Sequence, residues 1–198
     1  MLLNSKLRKM EIKMGKFTFE ETFIKDLFVI TPTVFGDSRG YFMETYQKEE
    51  FAEAGINVDF VQDNESRSSK GVLRGLHFQK KNPQGKLVRV IEGEVYDVAV
   101  DLRGDSETYG KWYGVRLSAE NKKQFYVPEG FDHGFVVLSD TACFVYKCTR
   151  LYDPTDEGGL AYDDPELGID WQIDEGTEIK LSEKDKKHPS LKDLNFSF

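Results

Sequence analysis

The residues of this 198-residue chain best suited to chemistry are three histidines and one lysine. His77, His133 and His188 are its only imidazoles. An imidazole with a pKa of about 6.5 can take up or release a proton at neutral pH. His77 lies in VLRGLHFQ, a strand-like run. Alternation puts Leu73, His77 and Gln79 on one side and Val72, Arg74, Leu76 and Phe78 on the other. Gly75 inside this run marks a bulge or a close backbone approach. A bulge there would turn Arg74 and His77 to the same side. Lys86 follows His77 by nine residues, across the turn KKNPQG. A hairpin over that turn would set the two side by side on paired strands. Taken singly, each residue is as easily structural: a half-buried strand histidine, a rim lysine.

The segment PEGFDHGF, Pro128 to Phe135, resembles the second cupin motif, PxGxxH, whose histidine points into a barrel. Metal-binding cupins pair it with HxH and a glutamate. The matching place here reads His77-Phe78-Gln79, with no second histidine and no cysteine to replace it. No metal site is therefore expected.

Such residues need a rigid frame, and the chain supplies strands. KLVRVIEG, EVYDVAVDLRG, WYGVRLS, QFYVPEG, GFVVLSD and ACFVYKCTRLYD are short, rich in Val, Phe and Tyr, and separated by turn residues. Turn signals at roughly ten-residue spacing suggest a sandwich or barrel of antiparallel strands. Helix signals are few. QKEEFAEAG closes on Gly55, a helix C′ glycine, and SEKD after Ser182 has the spacing of a capping box. The economical organisation is an N-terminal extension over residues 1–14 and a single β domain over residues 15–198. The first residues carry positive charge but no apolar h-region, so they do not read as a secretory signal. Met10 and Met14 within them suit alternative starts, and the extension is expected to be ordered only if it docks. Cys143 and Cys148 sit five apart, on opposite faces of one strand, which disfavours a disulfide and suits a cytoplasmic protein. No apolar run approaches a membrane span. A net charge of −8 argues against a nucleic-acid groove, which needs a basic face.

Longer strings are more specific. FGDSRGYFMETY, FVQDNESRSSKGVLRGLHFQ, PQGKLVRVIEGEVYDVAVDLR, YGVRLSAENKKQFYVPEGFDHGFVVLSD and YDDPELGIDW together resemble the dTDP-4-dehydrorhamnose 3,5-epimerase family, in order, from about Phe17 to Leu194. The resemblance implies an all-β, cupin-like antiparallel jelly-roll barrel with a few short peripheral helices. It implies a homodimer whose N-terminal strand crosses to its partner, and a reaction without cofactor or metal. The implied substrate is dTDP-4-keto-6-deoxyglucose, on the way to dTDP-L-rhamnose. Its C3 and C5 protons are both α to the C4 ketone and can leave through enolates.

By the same resemblance His77 is the general base and Asp185 the carboxylate that orients it. Lys86 stabilises the enolate oxygen, and Tyr146 is the general acid on the far face. Arg74 and His133 contact the substrate. Phe35, Arg39, Glu44, Gln62 and Asn64 bind it further out, Arg39 and Glu44 often from the partner chain. From the residues alone Asp185 is better read as the end of the Ser182 capping box, and it is the resemblance that favours the pairing with His77. His188 matches no family role and reads as a surface residue. Where some members carry two adjacent tyrosines, this chain has Leu151 before Tyr152. The alternative reading is a single-carbon epimerase or ketoisomerase on a related nucleotide deoxysugar. A non-catalytic sugar-binding cupin is disfavoured because the base, its partner, the lysine and the acid are all present. The acidic excess is expected in stretches such as Asp153 to Glu166, serving solubility.

Overall fold

Valine, phenylalanine and tyrosine pack well on a pleated surface, and the glycines and prolines between them break the chain into short strands. The computed structural model describes residues 11–198. In chain order the elements are β1 (Glu11–Met14), β2 (Phe17–Glu21), β3 (Phe28–Pro32), β4 (Phe35–Asp37) and β5 (Gly40–Phe42). Helix α1 (Lys48–Glu53) precedes β6 (Gln62–Ser69), β7 (Leu73–Gln79), β8 (Lys86–Glu92) and β9 (Glu94–Asp101). Then come β10 (Trp112–Ser118), β11 (Gln124–Val127), β12 (Phe131–Val137), β13 (Thr141–Cys148) and β14 (Glu157–Gly158). One sheet has the order β1-β2-β3-β11-β8-β13-β6, the other β10-β9-β12-β7-β14, and β4-β5 is a separate hairpin. Every strand pair is antiparallel. This is the jelly-roll arrangement expected from the sequence.

The core between the sheets is built by alternation. Val88 and Val90 of β8 and Phe144 of β13 face Val95, Ala99, Phe135 and Val137 of the second sheet. Leu87 faces outward instead, under α1, where Phe51 packs edge-on against Phe17 and Phe19 at 5.1 Å each. Such pairs add about 0.5–1.5 kcal/mol beyond area burial. Helix α1 lies where QKEEFAEAG places it, with Gly55 at φ +97° after its last turn.

Residues 159–198 hold no strand and wrap the outer face of the five-stranded sheet. Leu160, Leu167 and Trp171 are buried there against Leu73, Leu76, Phe78, Val98 and Val100. The Leu73 amide donates to Lys180 O at 3.0 Å and the Lys180 amide to Gly71 O at 2.8 Å, which fixes the path of the wrap beside β7.

Residues 11–14 of the expected extension form β1 and dock on β2, and residues 1–10 lie outside the described residues. Two expectations change. The turn KKNPQG does not close a hairpin: β7 pairs with β12 and β14, and β8 with β11 and β13, so the segment crosses from one sheet to the other. The acidic stretch is not merely solvated. Asp156 accepts from the Lys81 and Asn82 amides, and Asp164 from Leu191 and Glu166, and both are buried. Cys143 and Cys148 are buried and unbridged, as expected.

The bulge at Gly75 does form. His133 pairs with His77 and Phe135 with Arg74, so β12 advances two residues while β7 advances three. Gly75 has φ +120°, and a Cβ on it would lie 2.6 Å from Gly134 Cα and 2.8 Å from His133 O. Only paired glycines let the two backbones approach so closely. Gly75→Ala should lower unfolding free energy by about 2–4 kcal/mol. Urea denaturation of the variant against the parent chain measures it.

Candidate active site

The bulge restores one facing to residues of odd spacing: Arg74 and His77 both line a cavity of about 560 Å³ at one end of the barrel. His133 joins them from β12, Lys86 from β8, Tyr146 from β13 and Asp185 from the C-terminal wrap. Sequence had placed these six residues in one pocket, and they line one. The walls come from opposite sheets. His77 and His133 stand on the five-stranded sheet, Lys86 and Tyr146 on the seven-stranded sheet. Phe135 and Phe144, stacked 4.0 Å apart, close the inner side against the core.

His77 donates from Nε2 to Asp185 Oδ1 at 2.8 Å. The free lone pair of a neutral ring is then on Nδ1. Ser182 Oγ accepts the Asp185 amide at 3.1 Å, just ahead of the 3₁₀ turn Asp185–Lys187. Only the backbone half of the expected capping box forms, and the Asp185 carboxylate is turned to His77 instead of back to the Ser182 amide. Burial pushes the Asp185 carboxyl up, but bonds from His77, Ser182 and the Gly75 amide hold it below its usual value.

Lys86 reaches into the cavity. Its Nζ makes no hydrogen bond or ion pair among the described residues, so it is open to a ligand oxygen. Burial lowers its pKa, while Cys148, Asp132 and Asp97 pull the other way. Burial raises the Tyr146 pKa, which keeps the phenol protonated at neutral pH. Arg74 donates from Nε to Ser68 Oγ at 3.1 Å.

A second His–Asp pair lies behind the first. His133 Nε2 meets Asp97 Oδ1 at 2.8 Å, both side chains buried. Burial raises Asp97 and lowers His133, so both are drawn towards their neutral forms. Sequence reading missed Asp97, although a charged residue at the inward parity of EVYDVAVD was a usable signal. Glu157 was also missed. It accepts from Tyr152 Oη at 2.8 Å, pairs with Lys184, and lies 3.8 Å from His77 Nδ1. Its hydrogen bond pushes the Tyr152 phenol up to about 12. A two-residue strand leaves no pattern by which to find it.

His188 is not a surface residue. Its side chain is 10% exposed, and its ring stands edge-on to His77 with centroids 5.6 Å apart. Gln79, at the cupin ligand position, donates instead to Asn82 O and Leu151 O and accepts the Asp153 amide. It clamps two loops.

The outer binding residues divide. Gln62 and Asn64 stand on β6, joined at 2.9 Å, and Asn64 shares a neighbouring cavity with Tyr146 and Arg89. Phe35 and Arg39 lie on the β4–β5 hairpin, away from the His77 cavity of their own chain, exposed and with Arg39 paired to Asp37. Glu44 pairs with Lys16.

Residues 21–193 match the family model described as dTDP-4-dehydrorhamnose 3,5-epimerase. The chain is 54% identical over 180 residues to the dTDP-4-dehydrorhamnose 3,5-epimerase of Methanothermobacter thermautotrophicus, covering 91% of this chain and 97% of that one. The enzyme of the same name from Elizabethkingia anophelis is 56% identical with a TM-score of 0.87, over 92% of this chain and all of that chain. The dTDP-6-deoxy-D-glucose-3,5-epimerase of Legionella pneumophila, solved with dTDP-4-keto-L-rhamnose, is 50% identical with a TM-score of 0.87, over 90% and 95% of the two chains.

Two outcomes follow for Asp185→Asn. The barrel should fold, while turnover falls by a factor on the order of 10²–10⁴, because the imidazole loses its orienting carboxylate. Asp185 has a lowered folded pKa, so its contribution to stability is present at neutral pH and is lost on acidification. The Tm gap between parent and variant should therefore narrow below about pH 4, as a melting series across pH would register.

Proposed function

This chain belongs to the dTDP-4-dehydrorhamnose 3,5-epimerase family, and from that membership we infer how its cavity performs the reaction. The activity is inversion at C3 and C5 of a dTDP-linked 4-keto-6-deoxyhexose. His77 takes the proton α to the ketone on Nδ1, and Asp185 balances the imidazolium that results. The electrons move to the C4 oxygen, where the unpaired Lys86 ammonium meets the developing charge. Tyr146 returns a proton to the opposite face of the ring. Its phenol suits this step, being protonated at rest and far more acidic than a carbon acid.

The observation that supports this reading is that His77 and Tyr146 line one cavity from opposing sheets, with Lys86 on the strand next to that of Tyr146. Inversion requires a donor and an acceptor on opposite faces of one carbon. A pocket with both on one wall would return the proton to the face it left.

The nucleotide end is assigned to Arg74, Gln62 and Asn64, with Phe35, Arg39 and Glu44 supplied by a second copy. Support comes from the β4–β5 hairpin, where Phe35, Tyr41 and Phe42 are each at least half exposed and Arg39 extends into solvent. Strand β1 pairs with β2 of its own chain and is an edge strand of its sheet, so its outer edge is available for contact between copies. A homodimer working in the cytoplasm is the assembly this reading implies. No helix among the described residues is long and apolar enough to cross a membrane.

In heavy water the enzyme should introduce deuterium at both C3 and C5 of dTDP-4-keto-6-deoxyglucose, read by NMR of the product. Exchange at one carbon alone would instead mark a single-carbon epimerase. His77→Asn should lose at least about 10²–10⁴-fold in turnover. Tyr146→Phe should slow epimerisation more than exchange, since abstraction can precede the return of the proton. Equal slowing of both would remove the acid role from Tyr146.

A further inference from the structure

His188 has no part in the proposed reaction, yet it is built into the site. Its Nε2 is buried and has no hydrogen-bond partner. It faces Asp185 Oδ1 at 3.9 Å, on the carboxylate oxygen that also takes His77 Nε2 at 2.8 Å. The ring is held in place. One edge meets His77, and Gly159 backs it so closely that a Cβ there would lie 2.8 Å from His188 Cε1. The next residue, Pro189, accepts the Ala161 amide at 2.8 Å.

We propose that His77, Asp185 and His188 form a binding site for a divalent d-block cation such as Zn²⁺, and that its occupation withdraws the base from the reaction. Two imidazoles and one carboxylate are a donor set that such ions favour. One ligand atom from each residue lies within 4.8 Å of the others. Ligands on a tetrahedral ion with bonds of about 2.0–2.1 Å stand about 3.3 Å apart. The two distances to Asp185 Oδ1, 2.8 and 3.9 Å, bracket that value and need to change by about half an ångström each, and the two imidazole ligand atoms lie within 4.8 Å of each other. The Asp185 carboxylate favours added positive charge, while Glu157, 3.8 Å from His77 Nδ1, is already paired with Lys184. His77 is partly exposed to the cavity, which gives an ion its entry. The site differs from that of metal cupins, whose second ligand position is Gln79, already engaged in clamping loops.

The chemical consequence follows from counting ring protons. A neutral His77 carries one proton, on Nε2 when it donates to Asp185. Coordination through Nε2 moves that proton to Nδ1, and the ring then has no lone pair for a substrate proton. The binding claim stands on geometry; the inhibitory claim rests on His77 being the base.

The test uses untagged, full-length, chelator-treated protein and Zn²⁺ alone. Calorimetry should show one ion per chain. With only three histidines in the sequence, ¹⁵N-histidine spectra should show two imidazoles metal-bound and His133 unmoved. Deuterium exchange into substrate should fall at least tenfold at saturation and recover with EDTA. His188→Gln should raise the half-inhibiting Zn²⁺ concentration at least tenfold, measured against its own metal-free rate. The proposal is overturned if no ion binds, if His133 shifts in place of His188, if the bound ion leaves exchange intact, or if His188→Gln is inhibited like the parent. The spectra of the parent chain decide the ligands even if that variant does not fold. If His77→Asn instead kept its turnover while the parent still bound Zn²⁺ through His188, the base assignment would fail and the metal site would stand.

Discussion

The reactive arrangement hangs on one hydrogen bond, His77 to Asp185, between residues 108 apart in sequence. Each end requires a separate structural provision. At His77, β7 must bulge, because without the extra residue the histidine and Arg74 would face opposite sides of the sheet. At Asp185, forty residues without strands must be laid along the outer face of the same sheet and pinned there by Lys180 and Ser182. The apolar contacts of Leu160, Leu167 and Trp171 stabilise that wrap. What they deliver is one carboxylate beside one imidazole. A charge-assisted bond of this kind is roughly twice as strong as a neutral one, and it fixes the tautomer as well as the angle of the ring.

The barrel interior changes character along its length. On β8 the inward positions run Lys86, Val88, Val90, and on β12 His133, Phe135, Val137. One end is a hydrocarbon core and the other holds a lysine, a histidine and the carboxylate of Asp97, while Asp132 lies on the opposite face of β12, beside Val136 and the wrap. Asp132 is fully buried and its oxygens take the His133 and Leu160 amides. Burial drives Asp97 and Asp132 up and Lys86 and His133 down. Each shift is a tendency to lose charge, opposed by a neighbour of opposite sign. The polar end therefore costs stability that the apolar end must offset, in return for charges that water does not screen.

The strands were legible because their alternation is strong, and α1 because a helix-forming run ended on Gly55. The Gly75 bulge was legible from a glycine in an otherwise regular strand, and the cavity's six residues from motifs that resemble a family. Partnership between strands was not. Local sequence offers a turn between His77 and Lys86 but does not say that the turn changes sheets. His188 and Asp156 were misread for a related reason. Both lie in segments with no periodicity, where burial depends on what the wrap packs against. Asp97 differs, since its place in a valine-rich strand did carry a signal that a charge lay inside.

The proposed base His77 and proposed acid Tyr146 belong to different sheets, and facing sheets keep a spacing set by the side chains between them, about 10 Å from backbone to backbone. The gap into which a sugar ring must fit is thus not adjusted at the site. It is gauged by Val88, Phe135, Phe144 and their neighbours, deeper in the barrel. The core acts as a spacer gauge for stereochemistry. A methylene added or removed there alters how far a proton donor stands from the carbon it must reach, without touching any residue that handles the proton.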